Sequence, residues 1–314
     1  MPKKVLLAVG DMVADILLPP LGALPDIDSQ LLLGSVKLSP GGNTLNFALS
    51  SAAQGAPVEF HGARGDDAFG EMLKGWMRDM GVKDLSDAPK GMGTATTVAI
   101  PGPTGSRRLL TYPGANALFN ISSDELPLES ASHLHIGGYW FMKGMIGAPV
   151  LELLKGCRDM GVETSLDPAT NPSGWGGGEV KELKKVLPFV DILFVNCTEL
   201  LGITGSRSVE RAAEKVLALG CGKVILHRGD EGASLFEKDM PKRDFPAFPV
   251  KTPLNPTGCG DVFNGAFVAS LLRHEDMERS IKAGMAAASL HLGSSDPFYP
   301  DWKAVEPMLS CQDR

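Results

Sequence analysis

The stretch with the clearest chemical potential is NPTGCGDVFNGAFVASLL, residues 255–272. Gly258 and Gly260 let the backbone turn its N–H groups outward and permit close approach. The segment runs straight into a predicted helix, whose N-terminus adds about half a positive charge. Together these features make an anion-binding nest suited to phosphate. Asp261 follows at once. A carboxylate in a first helical turn can simply partner the macrodipole. Beside an anion nest it would repel phosphate unless it serves the incoming nucleophile. A base that takes a proton from an attacking hydroxyl must lie in line with the transferring phosphoryl group. Nest and carboxylate together point to phosphoryl transfer to an alcohol. Cys259 can be read as a thiol near a helix start or as a small residue in a crowded loop, and the crowded loop is the better reading.

The elements that would position these groups alternate along the chain. Residues 4–10 form a short apolar run ending in glycine, which reads as a buried strand. Leu45, Ala48, Leu49, Ala52 and Ala53 fall at helical spacing, with Gly55 as a stop. A strand over 58–63 and a helix in GDDAFGEMLKGWMRDMG follow. TATTVAI and RRLLTYP, separated by PGPTGS, form a hairpin signature. With the pieces between Ile16 and Leu38 it would make a small sheet outside the main body. From residue 130 onward HLHIGG, VETSLDP, VDILFVN and KVILHRG read as strands, with VLELLKGCRDMG and SVERAAEKVLALG as helices between them. That alternation predicts an α/β fold with a parallel sheet and helices on both faces. Ligands of such sheets sit beyond the carboxyl ends of the strands. Asp11, Asp167, Asn196 and Gly229 therefore come under suspicion. In the helix after the nest, Phe263, Ala266, Phe267, Ser270 and Leu271 recur as one buried face.

Composition removes several function classes. The chain has 314 residues, 43% hydrophobic and 21% charged, with a formal charge of −7. It carries no dense Lys/Arg run, which argues against nucleic acid as a partner. It also has no apolar stretch of about 18 residues, so no membrane span is expected. Its 5 cysteines are odd in number and scattered, which suits a reducing cytoplasm rather than a disulfide scaffold. A GxxxxGK[ST] loop, protein-kinase motifs, a strand-linked GxGxxG and a GxSxG elbow are all missing from the sequence. A dehydrogenase therefore has no fingerprint. His133 and His135 alternate on a predicted strand without a third ligand nearby, which favours a structural role over metal.

PTGCGDVFNGAF resembles the C-terminal signature of the ribokinase-like (phosphofructokinase-B type) carbohydrate kinases. PGGNTLNFA with GARGDDAFGEML resembles their N-terminal signature. GDMVAD, LTYPGANA, NCTE and HRGDEGA extend the resemblance over nearly the full length. It implies a three-layer α/β/α sandwich with a mostly parallel sheet, as a single domain over 1–314. A small β-sheet lid would be formed by insertions near 12–38 and 92–115. It implies an ATP-dependent sugar kinase with Mg²⁺, in which Asp261 is the base and Gly258, Cys259 and Gly260 donate to the phosphoryl group. Asn196 and Glu199 would organise Mg²⁺ through water, and they also read as a helix cap with a first-turn acid. Gly229 and Gly232 would flank the nucleotide. Asp15, Gly41, Gly42 and Asn46 would bind the sugar, with Asp11, Asn43 and Asn116 as further candidates. Lid pairing implies a homodimer.

The sequence departs from the pattern in places. Asn255-Pro256 replaces an Asp-Thr whose acid helps hold a monovalent cation in several members, so activation by K⁺ is in doubt. His227-Arg228 stands where Thr-Leu is common. SLDPATNPSGW lacks the arginine of a related D-P-N-x-R segment, which weakens the case for an acidic sugar. Two rival readings stay open. One is a nucleoside kinase of the same fold, with Tyr139, Trp140 and Phe141 as a wall for the base or as core. The other is a non-catalytic sugar or nucleotide sensor.

Overall fold

The computed structural model describes residues 5–102 and 107–312. Nine strands form the main sheet: β1 (Val5–Gly10), β4 (Val58–His61), β5 (Lys83–Asp84), β8 (Ala131–Gly137), β9 (Glu163–Asp167), β10 (Ile192–Asn196), β11 (Lys223–His227), β12 (Ala233–Glu237) and β13 (Arg243–Phe245). Their order is β13-β12-β11-β10-β9-β8-β1-β4-β5. Pairing is parallel from β5 through β11 and antiparallel for β12 and β13. Side chains alternate across this sheet. Leu7 and Val9 enter one apolar layer, whereas Leu6 and Ala8 enter the other, as period-two geometry requires.

One layer is covered by α3 (Ala148–Asp159), α4 (Gly178–Val186), α5 (Cys197–Thr204) and α6 (Val209–Ala218). The other is covered by α1 (Asn43–Ala53), α2 (Ala68–Asp79), α7 (Cys259–Leu272), α8 (Met277–Leu292) and α9 (Trp302–Gln312). The expected three-layer sandwich is therefore present. The antiparallel edge goes beyond the sequence expectation: the glycines at 229 and 232 mark the tight turn from β11 into β12, and β13 is only 3 residues long. Among the described residues, no helix is long and apolar enough to cross a membrane.

The small separate sheet also forms. It contains β2 (Val13–Leu17), β3 (Lys37–Gly41), β6 (Thr96–Pro101) and β7 (Arg107–Tyr112) in the order β3-β2-β6-β7. The hairpin turn at 103–106 lies outside the described residues, as does the side chain of Cys311. β3 continues to Gly41, past the limit expected for the first insertion. It thus feeds straight into α1, and its glycines join the small sheet to the main body. Gly42 has φ +90 and caps α1. A Cβ there would lie 2.9 Å from the Met12 Cα.

One expectation needs correction. Helix α7 has no single buried face, since every residue from Asp261 to Ser270 is buried. It is enclosed by α1 on one side and α8 on the other. The α1 contact is close: a Cβ on Gly265 would lie 2.5 Å from the Phe47 carbonyl oxygen. The hydroxyls of Ser50 and Ser51 donate to the carbonyls of Val262 and Gly265 at 2.8 and 3.1 Å. His133 and His135 are buried, each with a ring nitrogen 2.8 Å from the Ser165 hydroxyl. His135 also stacks on Phe47 with centroids 3.7 Å apart. Both histidines serve the core.

Replacing Gly265 with alanine should force α1 and α7 apart. The expected cost is about 1–3 kcal/mol, read as a lowered midpoint in urea unfolding. An unchanged midpoint would show that the helices can separate freely.

Candidate active site

Parallel pairing aligns the strand ends, with Gly10 opposite Gly137, Gly137 opposite Asp167, and Asn196 opposite His227. All of these lie at the carboxyl edge of the sheet, where α7 begins. Gly258 caps α7 with φ +81 and brings no capping side chain. A helix start leaves its first N–H groups without intrahelical acceptors, which is the form a backbone anion nest would take.

Asp261 is 7% exposed. Its Oδ1 accepts from the Asn43 amide at 2.9 Å, and its Oδ2 accepts from the Asn46 amide at 3.0 Å. The Asn46 Oδ1 in turn accepts from the Tyr299 hydroxyl at 2.7 Å. Burial raises the Asp261 carboxyl well above the usual carboxylate range, and the charge of Asp167 adds to it. The two amides oppose this shift by stabilising the ionised form. Burial, with the charges of Asp261 and Asp15, likewise raises the Tyr299 hydroxyl. It therefore stays a donor.

The other expected residues fall into groups. Asp15 lines a small cavity with Asn46, Asn255, Thr257, His291 and Tyr299. A Cβ on Gly41 would lie 2.3 Å from an Asp15 carboxylate oxygen, so Gly41 makes room for Asp15. Asp11 accepts from the backbone and hydroxyl of Thr44 at 3.0 and 3.2 Å, which caps α1 from a distance. Both ends of the Asn116 amide engage the Met12 backbone. Here Asp11 and Asn116 hold the joint between β1 and β2.

Asn196 and Glu199 form a reciprocal capping box at the start of α5. The second oxygen of Glu199 accepts from the Thr170 hydroxyl at 2.8 Å. Burial raises the Glu199 carboxyl. A cavity of about 660 Å³ opens beside this box, lined by Asn196, Thr198, His227, Arg228, Lys242 and other residues. Gly229 has φ +63 with open space around it, whereas a Cβ on Gly232 would strike the Phe245 carbonyl at 2.0 Å. The glycine at 232 is thus accounted for by packing against the chain after β13. The Cys259 thiol points at the Asn255 carbonyl, 3.4 Å away.

Asp167, suspected from its place after a strand, joins this edge, whereas Asn264 and Tyr299 carry no site assignment from the sequence. Asp167 accepts from the Asn264 amide at 2.8 Å, and burial raises its carboxyl strongly, with the charge of Glu199 adding to it. Asn264 is fully buried one turn after Asp261, and that spacing was its only available signal. Tyr299 carried no signal. His227 packs its Nδ1 3.2 Å from where a Gly260 Cβ would stand. Burial lowers its imidazole to about 4, so it is neutral. Tyr139 and Trp140 are fully buried, and Trp140 donates to the Ala169 carbonyl. They are core, not a wall for a nucleobase.

The model for the pfkB family carbohydrate kinases matches residues 3–303. The chain is 28% identical to fructokinase-1 of Oryza sativa, with 80% of this chain and 82% of that protein covered. It is 27% identical to the ribokinase of Arabidopsis thaliana, covering 97% and 80%. The structure of Arabidopsis ribokinase complexed with ribose and ATP superposes with a TM-score of 0.80 at 23% identity, over 98% and 99% of the two chains. Xylella fastidiosa fructokinase with bound ATP gives 0.82 at 19%, over 99% and 100%. A cytidine kinase of Thermococcus kodakarensis matches only 34% of this chain.

Replacing Asn46 with leucine removes a bond that favours the ionised Asp261. The carboxyl should rise further, so activity should fall off at higher pH on the acid side than in the wild type. A pH profile of kcat/KM measures this, and an unmoved acid limb would remove Asn46 from the support of Asp261.

Proposed function

The chain belongs to the pfkB family of carbohydrate kinases, phosphotransferases with an alcohol acceptor, and from that premise we propose that it transfers the γ-phosphate of ATP to a hydroxyl of a small neutral sugar. The observation that carries the reading is Asp261, buried at the mouth of the α7 nest and held by two amides. In the proposed step the sugar hydroxyl attacks the γ-phosphorus, the bond from that phosphorus to the β,γ-bridging oxygen breaks, ADP leaves, and Asp261 accepts the hydroxyl proton. The backbone donors of residues 258–260 meet the charge that develops on the phosphoryl oxygens. The raised carboxyl suits this task, because a stronger base holds the proton better once the hydroxyl reacts.

ATP would lie along the cavity beside Asn196, with its phosphates toward α7. Gly229 offers open backbone on that side. Among the described residues no three acidic, His or Cys side chains stand together as a ready metal cage. Mg²⁺ keeps several waters and is held mainly by phosphates and one or two carboxylates. Glu199 and Asn196 would hold it through water. When bound, the ion neutralises phosphate charge. Asp15 and the Gly41-Gly42 backbone would receive the sugar, with the small sheet closing over it to exclude water.

Replacing Asp261 with asparagine should lower kcat by about 10²–10⁴-fold while circular dichroism shows an intact fold. Turnover near the wild-type level would remove Asp261 as the base. Coupled-assay screening of ATP against free sugars and nucleosides tests the acceptor class. Ligand binding without any turnover would favour the sensor.

The small sheet also exposes apolar side chains on its outer strand and loop. Leu110 is 62% exposed and Ile27 93%. A second copy of the chain would cover them, as lid pairing in this family implies. Light scattering should give twice the 33.2 kDa chain mass, and Leu110→Asp should shift it toward the monomer. A monomeric wild type would end the dimer reading.

A further inference from the structure

His291 lies near the end of α8 and is 3% exposed. Its Nδ1 stands 2.6 Å from the Phe298 carbonyl oxygen, and its Nε2 stands 2.8 Å from the Thr257 carbonyl oxygen. Carbonyl oxygens only accept. A neutral imidazole has one N–H, so one of these contacts would set a nitrogen lone pair against an oxygen lone pair. The ring that satisfies both contacts carries hydrogen on both nitrogens and is positively charged.

The two carbonyls belong to segments that frame the transfer site. Thr257 directly precedes Gly258, where the chain turns into α7. Phe298 directly precedes Tyr299, whose hydroxyl orients Asn46 and through it Asp261. One ring therefore ties the entry to the nest to the support of the base.

A monovalent cation does not fit here. Asn255 brings a neutral amide to the cavity and adds no charge to offset a bound cation. The neighbouring Thr257 carbonyl is engaged by His291. The cavity bounded by Asp15, Asn255, Thr257, His291 and Tyr299 has a volume of about 10 Å³, at the lower limit for a single water. The charges around the ring suit a resident cation. Asp15 faces it from the small sheet and Tyr299 from the C-terminal segment, with ring centroids 6.0 Å apart. Asp261 on α7 stands behind Asn46. The exposed Lys37–Asp296 pair closes on itself at 2.8 Å. Neither Lys nor Arg is among the described residues lining the cavity.

We infer that the imidazolium of His291 stands in for a monovalent cation, clamping the loop before Gly258 to the segment before Tyr299, so that the chain works without K⁺. His291 is a positioning residue. The inference rests on the kinase reading of the site, and its test keeps the two separable. Thermal unfolding and ATP-binding calorimetry are compared in KCl, NaCl and tetramethylammonium chloride at one ionic strength, with kcat measured alongside. The wild type should vary by less than about twofold in ATP affinity and kcat, because a preformed clamp leaves no ion to bind. Its ¹⁵N spectrum at neutral pH should show two N–H groups on the His291 ring. His291→Ala, checked for folding by circular dichroism, should lose about 10²-fold in kcat through misplaced groups and should recover in part with K⁺ or added imidazole. His291→Gln, which is uncharged, should stay impaired. A K⁺-specific rise in stability or ATP affinity of the wild type would overturn the inference, as would a neutral ring in the spectrum or wild-type behaviour of His291→Gln. If no acceptor is phosphorylated, the kinase reading fails, while the binding, unfolding and spectroscopic results still decide the role of His291.

Discussion

The close contact between α1 and α7 is the constraint on which the site depends. Gly265 lets the helices approach until the α1 backbone meets α7 directly. Ser50 and Ser51 then fix their register through carbonyls of α7. These bonds join residues more than 200 positions apart in sequence. The same register places Asn43 and Asn46, at the start of α1, on the two oxygens of Asp261, at the start of α7. Helix α7 can be buried over its length because its neighbours meet much of its polar surface: Ser50 and Ser51 at its carbonyls, the α1 amides at Asp261, and Asp167 at the Asn264 amide. The strands contribute by setting where both helices begin, since α1 follows β3 across Gly42 alone and α7 follows β13 by a longer loop.

Electrostatics at this edge balance burial against bonding. Asp11, Asp167, Glu199 and Asp261 all have carboxyls raised by loss of water. Each is also held by hydrogen bonds that favour its charged form, from Thr44, Ala169 and Asn264, Asn196, and the α1 amides respectively. Acids so placed repel one another and do not all ionise cheaply. Positive charge brought to this edge would relieve that repulsion. Backbone N–H groups of the nest add positive field without adding a side chain. The neutral His227 beside Gly260 fills space there and adds no charge at neutral pH.

The small sheet is structurally continuous with this edge. β2 begins three residues after β1 ends, and β3 passes into α1 with only Gly42 between them. Asn116, just beyond β7, bonds the Met12 backbone at the turn between β1 and β2. The small sheet is thus tied to the start of α1, where Asn43 and Asn46 bond Asp261.

The sequence by itself determined the local and repeated features. Period-two and helical spacing set the βαβ order, and glycines at 258 and 260 set the nest. The residues N-x-x-E at 196–199 set a capping box, because a cap is a contact three residues long. Two signatures at opposite ends of the chain were enough to mark the family. Tertiary structure alone decided what those residues touch. Asp11 accepts from the Thr44 backbone and hydroxyl, Asn116 engages the Met12 backbone, and Asn46 bridges Tyr299 and Asp261. Tyr299 and His291 carried no local signal, since their partners lie 253 and 34 residues away. Hydrogen bonds between distant segments leave no periodicity in the chain, and their geometry exists only once the helices have packed.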